Sequence, residues 1–103
     1  MVKIYNKAIR DKIPEIIRNS GNQCEIKNVD DDEFLIALER KLHEELAEYE
    51  ESKSVEELID LIEVVYRIAE LKGVSQDKIE LLRKQKNEER GGFLNNLYLI
   101  KTS

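Results

Sequence analysis

Two apolar stretches at helical spacing, separated by three residues, restrict this chain more than any other feature. At about 100° per residue, Leu35, Leu38, Leu42, Leu46 and Tyr49 fall in one arc with Phe34 at its edge. A second, wider face gathers Leu58, Leu61, Ile62, Val64, Val65, Ile68 and Leu71. Ser52-Lys53-Ser54 between them has only the length of a turn, so the two helices run antiparallel with their stripes facing.

The punctuation agrees. Asp30, Asp31, Asp32 and Glu33 place negative charge where a helix start favours it, which predicts a helix over 31–51. Ser54 opens the next, over 55–72, which stops at Gly73; Ser75 caps a fourth over 76–90, closed by Gly91-Gly92. Pro14 suits the first turn of a short helix through Ile16, Ile17 and Arg18, ended by Ser20-Gly21. Residues 1–10 read as extended. Residues 24–29 alternate weakly as a short strand or arm, with residues 97–100 as a candidate pairing partner. The expected fold is an all-α antiparallel bundle of about four helices with a minor two-stranded β element. The composition agrees: 38% charged, 6% aromatic, no Trp, four Gly and one Pro make an all-β domain the poorer expectation. No repeat or linker divides the 103 residues, so 1–103 is one domain, expected to bury roughly two-thirds of its unfolded surface.

Several function classes are disfavoured at once. With 22 acidic and 17 basic side chains the formal charge is -5, against the basic surface a nucleic-acid binder needs. Lys3, Lys7 and Arg10 interrupt the apolar runs of the N-terminus, so no signal peptide is expected, and no stretch approaches the ~20 apolar residues that cross a bilayer. Cys24 has no partner for an internal disulfide or a zinc site, and a reducing cytoplasm is the expected compartment.

The carboxylates carry the chemical signal. Glu45 projects within the apolar arc of the 31–51 helix and Glu48 lies just beyond its border, whereas Glu44 lies further round toward solvent. The next helix repeats the pattern, with Glu57 between Leu61 and Val64 and Asp60 at the edge beside Leu71. Burying such charges is costly unless a cation satisfies them, and hard oxygen ligands on a rigid scaffold suit Mg²⁺ or Mn²⁺. A simpler reading exists for part of the pattern. Ser54-x-x-Glu57 is a capping box in which Glu57 returns a hydrogen bond to the helix start, and the acidic face of the first helix could be solvated. Capping explains Glu57 alone; a cation explains Glu45, Glu48, Glu57 and Asp60 together.

The string Glu44-Glu45-Leu46-Ala47-Glu48, followed by Glu57-Leu58-Ile59-Asp60, resembles the EExxE…ExxD signature of the MazG-like, all-α nucleoside triphosphate pyrophosphohydrolases. The flanks Tyr5-Asn6-Lys7-Ala8-Ile9-Arg10-Asp11-Lys12-Ile13-Pro14 and Glu89-Arg90-Gly91-Gly92-Phe93 are similar to a compact subgroup described as phosphoribosyl-ATP pyrophosphohydrolase-like. The resemblance implies Mg²⁺-dependent cleavage between the α and β phosphates of a nucleotide, giving a monophosphate and pyrophosphate. It implies Glu45, Glu48, Glu57 and Asp60 as metal ligands, with Glu44 supporting them or orienting the attacking water. Such displacement needs positioning and charge neutralisation more than a protein nucleophile. The sole histidine, His43, points to the solvent side of its helix.

Phosphates also require cations. Arg83, Lys86 and Arg90 continue the stripe of Ile79 and Leu82 on the fourth helix, and Arg10 and Lys12 form a second basic group; Arg10 and Lys86 are the preferred pair. The alternative for the fourth helix is that basic residues near a C-terminus complement its dipole. The apolar face of residues 55–72 is wider than one partner helix covers, which predicts a homodimer or a dimer of dimers. Two other functions stay open: true phosphoribosyl-ATP pyrophosphohydrolase of histidine biosynthesis, although Leu61-Ile62-Glu63-Val64-Val65 lacks the aromatic-histidine pair associated with that enzyme, and a non-catalytic acidic interaction module.

Overall fold

The computed structural model describes residues 2–103, so Met1, at the head of the segment expected to be extended, lies outside the described residues. Four helices follow in order: α1 (Ile13–Asn19), α2 (Asp31–Ser52), α3 (Val55–Leu71) and α4 (Gln76–Arg90). The protein is all-α, with no strand among the described residues.

Local chemistry sets each boundary. Asp30 is extended and its carboxylate accepts from the Glu33 N–H at 2.8 Å, leaving three acidic residues in the first turn of α2. Ser54 and Ser75 cap α3 and α4 in the same way, accepting from the N–H groups of Glu56 and Lys78. Lys53 adopts the left-handed conformation, φ 58°, and its N–H returns to the Tyr49 carbonyl at 2.7 Å, which reverses the chain within two residues. Gly73 ends α3 at φ 85°, where a side chain would be strained. α1 is a short helix with Pro in its first turn and no side-chain cap.

α2 and α3 form an antiparallel hairpin, and α4 packs on α3 through its first turns, where Ile79 and Glu80 are half-buried. From Leu81 onward every residue is exposed. The core is small: Leu38 of α2 and Val64 of α3 enclose Ala8 of the N-terminal segment, flanked by Phe34, Ala37, Leu42, Ile68 and Leu71. That an N-terminal alanine fills the groove of the hairpin is not apparent from helical periodicity.

Two expectations are corrected. Residues 24–29 and 97–100 do not pair; Leu97, Tyr98, Leu99 and Ile100 stand 77–90% exposed. An isolated two-stranded ribbon gains too little buried surface to offset the ordering it requires. The single chain also buries less than its length suggests, exposing 9580 Å² where about 6,000 Å² is expected of a compact monomer of this size. Its radius of gyration is 17.9 Å, against about 13 Å for a compact domain of similar length.

Candidate metal centre

The hairpin brings Glu45, Glu57 and Asp60 together. One carboxylate oxygen from each lies within 4.8 Å of the others, so three hard donors surround a space the size of a small cation. Glu45 faces inward from α2 because it shares the arc of Leu38 and Leu42; Glu57 and Asp60 are one turn apart on α3, opposite it. Glu48, the fourth expected ligand, is exposed and is not one of the three that meet; it stands near enough for its charge to raise the pKa values of Glu45 and Glu57.

Glu57 is not held by the capping box that Ser54 suggested. The Ser54 N–H donates to Ser52 Oγ at 3.1 Å, and Ser54 Oγ accepts from Glu56. The bond that Glu57 would have returned is thus supplied by Ser52, and its carboxylate is left to the cluster.

Glu45 is the one buried charged residue among those described, and its Oε2 has no hydrogen-bond partner. A buried carboxylate oxygen without a donor costs on the order of 1–3 kcal/mol or more. Burial raises the Glu45 pKa above the usual carboxylate value, and the charges of Glu48 and Asp60 raise it further against the pull of Lys41. Partial burial likewise raises Glu57, with Glu48 and Asp60 adding to the shift. An orphaned oxygen, an all-oxygen donor set and two carboxyls whose pKa values are raised by burial and by neighbouring carboxylates all fit a divalent cation. Among the described residues, Glu45, Glu57 and Asp60 would hold it directly.

Three cations meet the cluster from the protein itself. Lys7 Nζ donates to Glu44 at 2.7 Å, Arg10 Nη2 to Asp60 at 2.8 Å, and Lys41 Nζ lies 3.5 Å from Glu45 and 4.0 Å from Glu44. The hydrogen bond from the Lys7 ammonium lowers the pKa of half-buried Glu44, the opposite direction from that of Glu45 next to it. Sequence reasoning missed Lys7 and Lys41. Lys41 left a signal, four residues before Glu45 on the same helix; Lys7 left none, because its place depends on Ala8 docking in the hairpin.

A cleft of about 620 Å³ opens beside the cluster, with Phe34, Leu38 and Val64 as its apolar wall and Arg10, Lys12, Lys41, Glu45 and Asp60 as its polar one. Arg10 and Lys12 therefore both line the cleft beside the site, and Arg10 bonds to it through Asp60. Arg83 and Lys86 line a different hollow, on α4 with Ile79 and Leu82, that shares no residue with this cleft. Arg83 is occupied there by two bonds to Glu80, at 3.3 and 2.9 Å, and Arg90 is exposed at the end of α4. His43 is exposed and Cys24, a free thiol, is half-buried outside the cluster.

Fold and site together define an all-α protein carrying a carboxylate-built candidate cation centre on a helical hairpin. No protein-family model matches the chain, and no solved structure matches it. It is similar to an uncharacterized protein of Mycolicibacterium smegmatis, 52% identical over 42 residues, a stretch that spans 41% of this chain and 43% of that relative. No helix among the described residues is long and apolar enough to cross a membrane.

Proposed function

We propose that the protein is a Mg²⁺-dependent nucleoside triphosphate pyrophosphohydrolase of the MazG-like kind, cleaving the α–β phosphoanhydride of a surplus or non-standard nucleotide in the cytoplasm. The observation that carries this reading is the unpartnered, buried Oε2 of Glu45 within the trio completed by Glu57 and Asp60. These residues are the ones that the resemblance over 44–48 and 57–60 marks as ligands, with Glu48 as the fourth.

Mg²⁺, or Mn²⁺ in its place, would be held by Glu45, Glu57 and Asp60 and would supply charge neutralisation at the phosphoanhydride. The chain's own groups do the rest. Glu45, Glu57 and Asp60 present the ligand oxygens, and Glu48 adds negative charge beside them. Glu44, paired with Lys7 in the metal-free chain, is a carboxylate beside the trio able to orient a water molecule. Arg10 and Lys12 line the cleft next to Asp60 and hold phosphate oxygens, and the apolar wall of Phe34, Leu38 and Val64 excludes water from one side.

The partner is a second copy of the chain, as a dimer or a dimer of dimers, with neither nucleic acid nor membrane involved. Support comes from the exposed area and from the outer face of α3, where Val55, Ile59 and Ile62 recur at helical spacing and are half or more exposed. Arg83, Lys86 and Arg90 serve the phosphates only if a second copy brings its α4 to the cleft.

The test is pyrophosphate release from a panel of standard, deoxy and modified nucleoside triphosphates and phosphoribosyl-ATP, with and without Mg²⁺. Release that requires Mg²⁺ and falls at least 100-fold in Glu48→Gln and Asp60→Asn, both still folded, is the expected result. Preferential turnover of phosphoribosyl-ATP would move the assignment to histidine biosynthesis. No release from any substrate, with no effect of Mg²⁺ on the melting temperature, would leave an acidic interaction module.

A further inference from the structure

The N-terminal segment enters the groove of the hairpin at one buried point. Ala8 packs between Leu38 and Val64, and the two cations that flank it reach opposite walls: Lys7 to Glu44 on α2 and Arg10 to Asp60 on α3. Both pairs are partly open to solvent, with side-chain exposures of 36% and 30% for the first and 51% and 41% for the second. Lys41 differs. Its side chain is only 14% exposed and belongs to the same helix as both of its acids, so it is a counter-charge that stays in place.

Asp60 therefore has two claims on it. Its carboxylate belongs to the trio that faces a common point with Glu45 and Glu57, and it also accepts from the Arg10 guanidinium. A divalent cation in the trio competes directly for Asp60 and repels the guanidinium beside it. Arg10 makes only this one bond to a side chain among the described residues, through one of its nitrogens, so most of its five donors remain free to grip an anion.

We propose that Lys7 and Arg10 form an exchangeable cationic arm: with the cluster empty of metal they neutralise Glu44 and Asp60, and when a divalent cation takes Asp60 they turn to the phosphate oxygens of the polyphosphate it recruits. The buried Ala8 is the pivot that keeps both cations at the mouth of the cleft in either state. This rests on the metal-dependent reading of the site and adds to it an order of events, cation before polyphosphate, and a phosphate-binding role for Lys7. The arm keeps crowded carboxylates folded without metal and supplies positive charge where the substrate's negative charge arrives.

Two titrations on the whole chain, Mn²⁺ followed by its electron paramagnetic resonance signal and tripolyphosphate in saturating Mg²⁺, test the exchange without measuring turnover. Arg10→Gln is expected to bind Mn²⁺ about two- to five-fold more tightly, the factor for removing a competing, partly exposed ion pair. The same variant is expected to bind tripolyphosphate at least about ten-fold more weakly, the loss of a hydrogen bond between charged groups. Arg10→Lys should recover most of both, and Lys7→Gln should shift both in the same opposed directions, which keeps the test alive if either variant folds poorly. A simple structural ion pair would change the melting temperature and leave the two affinities unmoved. Unchanged Mn²⁺ affinity, or unchanged tripolyphosphate affinity, overturns the arm while the metal site stands. Failure of the parent chain to bind Mn²⁺ overturns the metal reading itself, and the arm with it.

Discussion

Glu44 and Glu45 are adjacent in the chain and opposite in electrostatic state. Glu44 points to the Lys7 ammonium and its pKa is lowered; Glu45 points into the hairpin and its pKa is raised by burial and by Glu48. Linkage turns this into a pH dependence. A carboxyl with a raised folded-state pKa binds its proton more tightly when folded, so Glu45 and Glu57 cost stability as pH rises through the window above 4.5. Glu44 and Glu80, with lowered values, contribute stability above 4.5 that is lost as pH falls through the window below it. Glu45 and Glu57 are therefore expected to lower the metal-free melting temperature as pH rises above 4.5, and Glu44 and Glu80 to lower it as pH falls below. Saturating Mg²⁺ should remove the decline on the alkaline side, because the cation binds the deprotonated forms. A scan of melting temperature against pH with and without Mg²⁺ checks this; a monotonic rise to neutral pH without metal would contradict the assignment of Glu45 and Glu57. At neutral pH without metal, Glu48→Gln is expected to melt roughly 2–4 °C higher than the parent, since about 0.5 kcal/mol of like-charge repulsion shifts a domain of this size by that much.

At the level of elements, the α2–α3 hairpin is what brings Glu45, Glu57 and Asp60 from two helices into one group. Its reversal depends on Lys53, a non-glycine residue held at φ 58°. The left-handed conformation costs an L-residue roughly 1–2 kcal/mol, more for one branched at Cβ, so Lys53→Gly should be neutral or stabilising by up to about 1 kcal/mol and Lys53→Val should destabilise. Urea midpoints of the two variants give the comparison, and a more stable Lys53→Val would show that the turn is not the constraint. Across the hairpin, Leu38→Ala should cost about 2 kcal/mol or more, because Leu38 is one of three buried apolar side chains among the described residues and Ala8 rests against it. Loss of that contact also frees the segment that carries Lys7 and Arg10.

The whole molecule is extended, 58 × 32 × 25 Å, and its apolar residues are distributed to match. α3 has one face on α2 and a second, bearing Val55, Ile59 and Ile62, on the outside; α4 from Leu81 onward and residues 91–103 are exposed, including Phe93, Leu94, Leu97 and Tyr98. That much apolar surface on so small a core is the physical reason to expect a second copy. Sedimentation equilibrium at micromolar concentration should give at least a dimer mass for the parent and a smaller mass for Ile59→Glu, which sets a charge on the outer face of α3 without touching the carboxylate cluster. A monomeric parent would exclude the dimer.

Much of this was legible in the residues. Periodicity placed the long helices to within a residue or two, because an amphipathic stripe and a capping side chain are both local, and it marked Glu45 as a carboxylate on an apolar arc. The hairpin followed from a three-residue connection. What local rules did not contain were contacts between residues far apart in sequence: Ala8 entering the groove, Lys7 reaching Glu44 across 37 positions and Arg10 reaching Asp60 across 50. Nor could they say that residues 24–29 and 97–100 stay apart, since strand pairing depends on where the intervening helices leave the two ends. The helices and the charges they carry are thus properties of neighbouring residues, set by hydrogen bonding and spacing along the chain. Which charges neutralise one another, and that Glu45 is left with an unpartnered oxygen, came from packing in three dimensions, because burial and Coulomb attraction act through space and take no account of sequence separation.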